Sequence, residues 1–352
     1  DDAKELGHYV KFIGQLIAVI SVVYYGGLYV QHFPFIGLET IPAYIGKPFT
    51  VIALVGVINA LNHSDGLDGL AGGESLLSFG AVAYLAYLYD GFSVLVISAA
   101  TMGGIFGFLR FNSHPARVFM GDGGSQVIGY ALGVVVVLLT QDVNPVFSPA
   151  IALLLIGLPV VDILAVFFLR AKGGMNLFRA TKNHIHHRLL LIGFYHYESV
   201  MLIYSVQALL VICAILFPYE NDFLLTGIYL MITTLVFSVL TIAERQGYHV
   251  HQSVPGSGVS KILPEYLQNK HVLALPGQVL ESGVMIFLIG AALMSVTIPA
   301  DIAVSALALL LMLLLLVLVP KLANLFLFRL IAFISIGFAV YLSTSYPPAW
   351  LI

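Results

Sequence analysis

The sequence predicts an all-α, polytopic integral membrane protein, and three observations lead to that fold class. Hydrophobic residues make up 60% of the 352 residues, charged residues only 9%, and the mean hydropathy is +0.99. A soluble domain carries roughly 25% charged residues, so this chain could not cover a water-facing surface of its size. The apolar runs are long and continuous and do not alternate with period two, which excludes a membrane β-barrel.

Charge and cysteine content exclude two further classes of protein. The 15 Lys and Arg residues against 18 Asp and Glu residues give a net charge of -3 at pH 7, which leaves no basic excess for binding nucleic acid. The single cysteine, Cys213, excludes an intramolecular disulfide framework. The lipid bilayer is therefore the expected environment of the chain.

About eleven apolar segments are long enough to cross a bilayer, for which a helix needs about 20 mostly apolar residues. They are predicted at residues 11–30, 48–62, 74–90, 91–110, 125–141, 147–169, 198–217, 222–243, 283–299, 302–319 and 324–346. These segments divide the chain into a first membrane domain of about eight spans (1–243), a polar segment (244–282) and a C-terminal module of about three spans (283–352). No function is assigned to the last two parts.

The distribution of the basic residues predicts how these spans are oriented in the membrane. When the connections are assigned alternately to two faces, thirteen of the 15 Lys and Arg residues fall on one face. The positive-inside rule places that face in the cytoplasm. Its loops in the first domain are predicted at residues 1–11, 62–73, 110–125 and 170–197.

Four polar clusters interrupt the apolar sequence, and all four fall on this face. Placing an ionisable residue at the centre of a membrane helix costs about 2.5 to 3.5 kcal/mol, so such a residue is expected to serve a function. The first cluster, Asp1-Asp2, suits a divalent cation or a phosphate-bound metal, or is an ordinary acidic terminus. The second, residues 59–73, places Asp65 and Asp68 on one side of a turn among glycines. Such a loop can hold a sugar or a nucleobase, or simply join two helices.

The third and fourth clusters carry further groups suited to phosphate chemistry. In residues 111–125, Asp122 lies between glycines just before a helix start, where a carboxylate can bind a metal and backbone N–H groups can face phosphate oxygens. Phe119 could stack on a base or anchor the chain in the membrane. Residues 183–189 hold three histidines and Arg188, which suit a phosphate cradle, a transition-metal site or a solvated basic loop. A dedicated zinc site would need a further Cys, His or Glu at the usual offset, and the sequence has none there.

Asp162 stands apart from the four clusters, eight residues before Arg170 within a predicted span. It either faces a cavity or hydrogen-bonds a neighbouring helix. A transporter or channel, the alternative from another class of protein, would need ionisable residues deep within several spans around a continuous pore. Asp162 alone comes close to such a position, so the sequence favours a site at one membrane face.

Five stretches together resemble the polyprenyl-phosphate N-acetylhexosamine-1-phosphate transferases, membrane enzymes that start bacterial glycan assembly. They are Asp1-Asp2, Lys11 to Gln15, Asn59 to Gly69, Phe119 to Ser125 and His184 to Leu189, in the family's order over roughly residues 1–243. The resemblance implies a multi-pass protein of the bacterial inner (plasma) membrane with a cytoplasmic active site. It also implies further spans ahead of the Asp-Asp pair, so the chain is expected to be N-terminally truncated relative to the family.

The reaction that the resemblance implies is a phosphotransfer between two substrates. Undecaprenyl (polyprenyl) phosphate would attack the sugar-linked phosphate of a UDP-N-acetylhexosamine, releasing UMP and leaving a polyprenyl-diphospho-sugar. Mg²⁺, or Mn²⁺ in its place, would clamp the diphosphate and stabilise the developing charge. A homodimer is left open, and a non-catalytic assembly subunit is disfavoured because the motifs expected for catalysis are present.

The resemblance also implies roles for individual residues. Asp122 is similar to the family's metal ligand, and Asp1 or Asp2 to the pair assigned to metal binding or to activation of the lipid phosphate. The implied catalytic residues are Asp1, Asp2, Asp122, His184, His186 and His187. The implied substrate-binding residues are Lys11, Asn62, Asp65, Asp68, Asn112, Phe119 and Arg188, and Asp162 is a further candidate.

The substrate depends on the branch of the family. The phospho-N-acetylmuramoyl-pentapeptide transferases of peptidoglycan synthesis have a His-His-His-Phe-type motif, whereas this chain has His184-Ile185-His186-His187-Arg188. This pattern is more similar to the N-acetylglucosamine-1-phosphate branch, which feeds lipopolysaccharide O-antigen, teichoic acid or related polymers. The peptidoglycan enzyme stays the alternative.

Overall fold

The computed structural model describes residues 7–33, 40–144, 146–174 and 183–251. Contacts divide the chain into two compact units, Asp1–Ser253 and Val254–Ile352. The predicted spans at 283–299, 302–319 and 324–346 fall in the second unit, outside the described residues, as does most of the 244–282 segment. Asp1 and Asp2 also lie outside the described residues.

The described part of the first unit is all-helical. Its helices are α1 (His8–Ile20, continued by a π-helical turn, Ser21–Tyr25), α2 (Ala43–Ser64), α3 (Leu70–Leu88), α4 (Phe92–Asn112), α5 (Gly121–Leu138, continued by a π-helical turn, Leu139–Val143), α6 (Ile151–Lys172), α7 (Ile185–Leu191), α8 (His196–Leu216) and α9 (Asp222–Arg245). Eight of these helices coincide with the eight spans predicted in residues 1–243. The seven-residue helix α7 was not predicted.

Six of the helices are long and apolar enough to cross a membrane, namely α2, α4, α5 with its π turn, α6, α8 and α9. The apolar part of α1 is shorter, at Tyr9–Tyr25. Helix α3 is not among these six, and its first turns carry two glycines and Glu74. The all-α membrane class is thus confirmed for the described residues, and the total of about eleven spans stays a prediction.

Small residues bring the helices close together around the site. A Cβ added to Gly129 in α5 would lie 2.9 Å from the Cα of Ile58 in α2, so the two backbones are in contact. On the other side of the bundle, the Tyr204 hydroxyl in α8 donates a 2.6 Å hydrogen bond to the carbonyl of Gly69 before α3. These contacts fix the helix ends that carry the polar motifs.

The alternating direction of the helices collects those motifs at one end of the bundle. Helices α1, α3, α5 and α8 begin at this end, which we call the motif end, and α2, α4, α6 and α9 finish there. Residues after α9 return to it, since the Val250 N–H donates to the carbonyl of Ile192 just after α7. These residues belong to the first unit, Asp1–Ser253, and the division of the chain at residue 243 stays a prediction.

Candidate active site

Asp122 lies at the centre of the motif end, in the first turn of α5. Its Oδ1 accepts a 3.0 Å hydrogen bond from Asn62 Nδ2, and its Oδ2 is 2.5 Å from the ammonium nitrogen of Lys11. The preceding residue, Gly121, has φ 64°, a backbone conformation that favours glycine and turns the chain into the helix. Lys11 of α1 and Asn62 of α2 thus both contact the carboxylate of Asp122 in α5, which is 42% exposed. All three were predicted as site residues.

Asp65 is a second carboxylate close to Asp122, directly after the end of α2. Partial burial and, after it, the nearby negative charges of Asp122 and Asp68 together raise the pKa of Asp65 to about 6. A carboxylate with an elevated pKa beside another carboxylate is a common arrangement in sites that bind a cation or a hydrogen-bond donor. The structure therefore supports the sequence-based grouping of Asp65 with Asp122.

Replacing Asp65 by asparagine is expected to stabilise the fold while it impairs function. The ionised carboxylate opposes folding because its pKa is higher in the fold, at about 6, than the ordinary value of 3.8. The destabilisation is absent below pH 3.8, where the carboxyl group is protonated in both the folded and the unfolded state. It grows between pH 3.8 and about pH 6 and is complete above about pH 6. Asp65→Asn should raise the melting temperature by about 2 to 4 °C near pH 8 and leave it unchanged near pH 4.

Thermal unfolding of both proteins in one detergent at the two pH values measures this difference. A melting temperature that is the same for both proteins at the higher pH would contradict the electrostatic account of Asp65.

Asp68 and Asn112 join the loop after α2 to the loop after α4. Asp68 Oδ2 accepts hydrogen bonds from the Ala116 N–H (3.0 Å) and from His114 Nδ1 (2.8 Å). Partial burial alone would raise the pKa of Asp68, but these two hydrogen bonds hold it below its usual value. Asn112 is buried, accepts from the Gly69 N–H at 2.9 Å and donates to the Val118 carbonyl at 2.9 Å. Both side chains stabilise the loops, and their predicted contact with substrate stays a prediction.

Two histidines that sequence reasoning missed complete this loop contact. The rings of His114 and His196 stack with centroids 4.1 Å apart, and the Asp68 N–H donates to His196 Nε2 at 3.0 Å. Ligand atoms of Asp68, His114 and His196 lie within 4.8 Å of one another, close enough for a metal ion. The lone pair of His196 Nε2 already accepts the Asp68 N–H, so loop positioning accounts for this cluster better than metal binding does.

The histidine motif forms the start of α7 and is anchored by Asp162. Asp162 Oδ2 lies 2.7 Å from His184 Nδ1, and its Oδ1 accepts a 2.9 Å hydrogen bond from the Ile185 N–H. Asp162 thus hydrogen-bonds a neighbouring element, and it also lines a small cavity, so both possibilities left open for it hold. The His184 ring stacks between those of His63 in α2 (5.5 Å) and His186 in α7 (5.7 Å).

His186 connects the histidine motif to the carboxylate loop. Its side chain is buried against Gly66, where an added Cβ would overlap His186 Nε2. Burial, followed by the nearby His187, lowers the pKa of His186 to about 4, so this ring is neutral at pH 7. The rings of His186 and His187 lie 4.2 Å apart. The second and fourth sequence clusters are therefore in direct contact.

Glu74 is a buried carboxyl group near the motif end that sequence reasoning did not single out. Glu74 lies in the second turn of α3, is 2% exposed and accepts a hydrogen bond from the Ser64 hydroxyl. Glu74, Asp162 and His186 line a small cavity together with neighbouring apolar residues. The sequence analysis placed Glu74 at the first position of the predicted span 74–90, directly after the loop at 62–73, and gave it no role.

Arg188 and Phe119 occupy contrasting positions. The Arg188 guanidinium forms a two-pronged ion pair with Glu244 of α9 (2.7 and 2.8 Å) and donates to the Thr241 hydroxyl at 2.9 Å. Arg188 thereby ties α7 to α9, and the substrate-binding role expected of it stays a prediction. The Phe119 ring is 75% exposed, as base stacking or membrane anchoring would require.

Comparison with known proteins identifies the family. A sequence profile for glycosyl transferase family 4 matches residues 1–140. A probable undecaprenyl-phosphate N-acetylglucosaminyl 1-phosphate transferase of Bacillus subtilis is 32% identical over 249 residues, which cover 70% of this chain and 68% of the relative. The chain belongs to the polyprenyl-phosphate N-acetylhexosamine-1-phosphate transferases. It is therefore assigned to a family of glycosyl-1-phosphate transferases.

Other members of this transferase family come from both branches considered above. A phospho-N-acetylmuramoyl-pentapeptide-transferase of Listeria monocytogenes is 35% identical over 224 residues, 59% of this chain and 64% of the relative. An undecaprenyl-phosphate alpha-N-acetylglucosaminyl 1-phosphate transferase of Escherichia coli is 30% identical over 227 residues, 63% of this chain and 62% of the relative. The chain thus spans about two thirds of the length of these relatives.

Proposed function

We propose that the protein transfers N-acetylhexosamine-1-phosphate, most simply GlcNAc-1-phosphate, from a UDP-sugar to undecaprenyl phosphate. An oxygen of the lipid phosphate forms a bond to the sugar-linked phosphorus, and the bond from that phosphorus to the UMP oxygen breaks. The products are a polyprenyl-diphospho-sugar and UMP. The reaction takes place at the cytoplasmic face of the bacterial inner membrane and begins the synthesis of a cell-envelope glycan.

The convergence of Lys11, Asn62, Asp65 and Asp122 from separate elements carries this proposal. Phosphoryl transfer needs positioning and charge neutralisation more than covalent help, and this cluster offers a cation, amide groups and carboxylates in one place. The buried, neutral His186 packs beside Gly66, in the loop that carries Asp65. A dedicated general base is not needed, because a phosphate monoester with a second pKa near 6 is mostly a dianion at pH 7.

The same cluster fits a magnesium ion. Hard divalent cations prefer oxygen ligands, and the carboxylate of Asp122, with that of Asp65 nearby, supplies them at a half-exposed position. Asp122 would hold the ion, which would neutralise the diphosphate charge that develops during transfer. Lys11 orients the Asp122 carboxylate and adds a positive charge beside it.

Phospho-N-acetylmuramoyl-pentapeptide transfer is the second candidate function. The Listeria relative, with 35% identity over 224 residues, supports it. The two candidates share the lipid acceptor and the release of UMP, and differ in the sugar group that the site must accept. A choice between UDP-GlcNAc and UDP-N-acetylmuramoyl-pentapeptide as donor therefore separates them.

Membranes that contain the full chain provide the test. They are incubated with radiolabelled UDP-GlcNAc and undecaprenyl phosphate, with Mg²⁺ or with EDTA. We expect a labelled lipid product that EDTA abolishes and that added Mg²⁺ restores. Folded protein that forms no Mg²⁺-dependent lipid product with any UDP-N-acetylhexosamine would overturn the proposed activity.

A further inference from the structure

The buried pair of Asp162 and His184 is the best-defined polar contact at the motif end. Their side chains are 10% and 7% exposed, and Asp162 Oδ2 lies 2.7 Å from His184 Nδ1. Asp162 also holds the first N–H of α7 through its Oδ1, which is 2.9 Å from the Ile185 nitrogen. Burial of an acidic side chain in an apolar helix costs free energy, and the hydrogen bonds to His184 and Ile185 offset that cost for Asp162.

The hydrogen-bond pattern places a hydrogen on Nδ1 of the His184 ring. Asp162 accepts through both oxygens, from the Ile185 N–H and from the imidazole, so His184 Nδ1 carries a hydrogen. In a neutral imidazole the other nitrogen, Nε2, is then a hydrogen-bond acceptor on the opposite edge of the ring. The rings of His63 and His186 lie nearly parallel to the His184 ring, with centroids 5.5 and 5.7 Å from it.

We propose that Asp162 is a positioning residue that keeps His184 in the Nδ1–H form. Nε2 is thereby held as an acceptor for an O–H or N–H group of the sugar nucleotide. The nature of this ligand rests on the proposed function, whereas the protonation state of the ring does not. Asp162 acts through His184 and makes no contact of its own with the substrate.

Asp162→Asn separates this role from the structural one. The asparagine carbonyl can still accept the Ile185 N–H, which keeps the start of α7 anchored. Its NH₂ group then faces His184 Nδ1, which must become the acceptor, so the hydrogen moves to Nε2. The opposite amide orientation would set the NH₂ group against the Ile185 N–H, a repulsion that nothing can relieve. Asp162→Ala removes both hydrogen bonds.

Nitrogen-15 NMR of histidine-labelled protein tests the protonation state directly. The His184 signals are assigned by their loss in His184→Gln. We expect a hydrogen on Nδ1 alone in the native protein and on Nε2 alone in Asp162→Asn. A native His184 that carries hydrogen on Nε2, or on both nitrogens as an imidazolium that could donate to a phosphate, would overturn the proposal.

Activity measurements test the consequence of the protonation state. Asp162→Asn should keep the native melting temperature and lose about 100-fold or more in turnover, the usual contribution of one positioned imidazole. Asp162→Ala should lose both activity and thermal stability. Asp90→Asn is the matched control, because Asp90 is exposed in the turn between α3 and α4, and it should keep full activity.

The two measurements also separate this inference from the proposed function. Native protein that forms no lipid product would overturn the proposed function and leave the NMR result on His184 standing. Conversely, Asp162→Asn that turns over within about twofold of the native rate would overturn the positioning role while the proposed function stands.

Discussion

Asp122→Asn is expected to abolish sugar-phosphate transfer in a protein that still folds and binds the nucleotide sugar. The amide keeps an oxygen for the hydrogen bond from Asn62 but removes the negative charge that pairs with Lys11 and would bind Mg²⁺. Loss of charge stabilisation in a phosphoryl-transfer site costs several kcal/mol, so turnover should fall about 1000-fold or more. Initial rates, with donor binding measured by calorimetry, check this result.

Asp142→Asn is the matched control for that experiment. Asp142 is exposed in the π-helical turn that follows α5, at the opposite end from the motifs, so the same chemical change there should leave transfer unchanged. Native turnover by Asp122→Asn would remove Asp122 from the metal-binding role. A Mg²⁺ requirement that persists unchanged in the variant would do the same.

Gly66→Ala is expected to inactivate the protein by separating the histidine motif from the carboxylate loop. The new Cβ would overlap the buried His186 ring, which is 4% exposed. Either the ring or the loop after α2 must move, and a shift of about 1 Å at a phosphotransfer site can cost 100-fold in rate. Steady-state kinetics and a melting curve measure the two consequences.

Gly103→Ala controls for the general effect of adding a methyl group to the protein. Gly103 lies in α4, and a Cβ there would meet nothing within 4 Å, so activity and melting temperature should stay native. Native kinetics in Gly66→Ala would show that the contact between the histidine motif and the carboxylate loop is not needed for activity.

The helices were predictable because long apolar runs in a bilayer leave the backbone no alternative to internal hydrogen bonding. Helix α7 escaped prediction because its seven residues lie among polar ones and its stability comes from tertiary contacts. Asp162 anchors its first N–H, and Arg188 pairs with Glu244 on α9. Neither contact has a periodic signal in the sequence.

The site was predictable as a set of residues at one membrane face but not as a set of contacts. Lys11, Asn62 and Asp122 meet because three helix ends meet, which the alternation of spans implied. The contact between Asp68 and His196 joins residues 128 apart, and only folding brings them together. For the same reason the sequence could not distinguish side chains that hold loops, such as Asn112, from those that face the substrates.

Glu74 shows a second limit of the sequence argument. Its carboxyl group is buried near Asp162 and His186, yet glycines and serine surround it in the chain. The predicted loop ended at residue 73, whereas α3 begins at Leu70, and the close approach of Tyr204 to Gly73 explains why a small residue is needed inside the helix.

The measurement that tests the central claim most directly is the identity of both products. The full chain in membranes is given undecaprenyl phosphate, Mg²⁺ and a panel of UDP-sugars, and the lipid and nucleotide products are identified by mass. Transfer of a sugar phosphate predicts a lipid with two phosphates and one equivalent of UMP for one UDP-N-acetylhexosamine. A lipid that keeps a single phosphate, with release of UDP, would show transfer of the sugar alone and would contradict a phosphotransfer site built on Asp122.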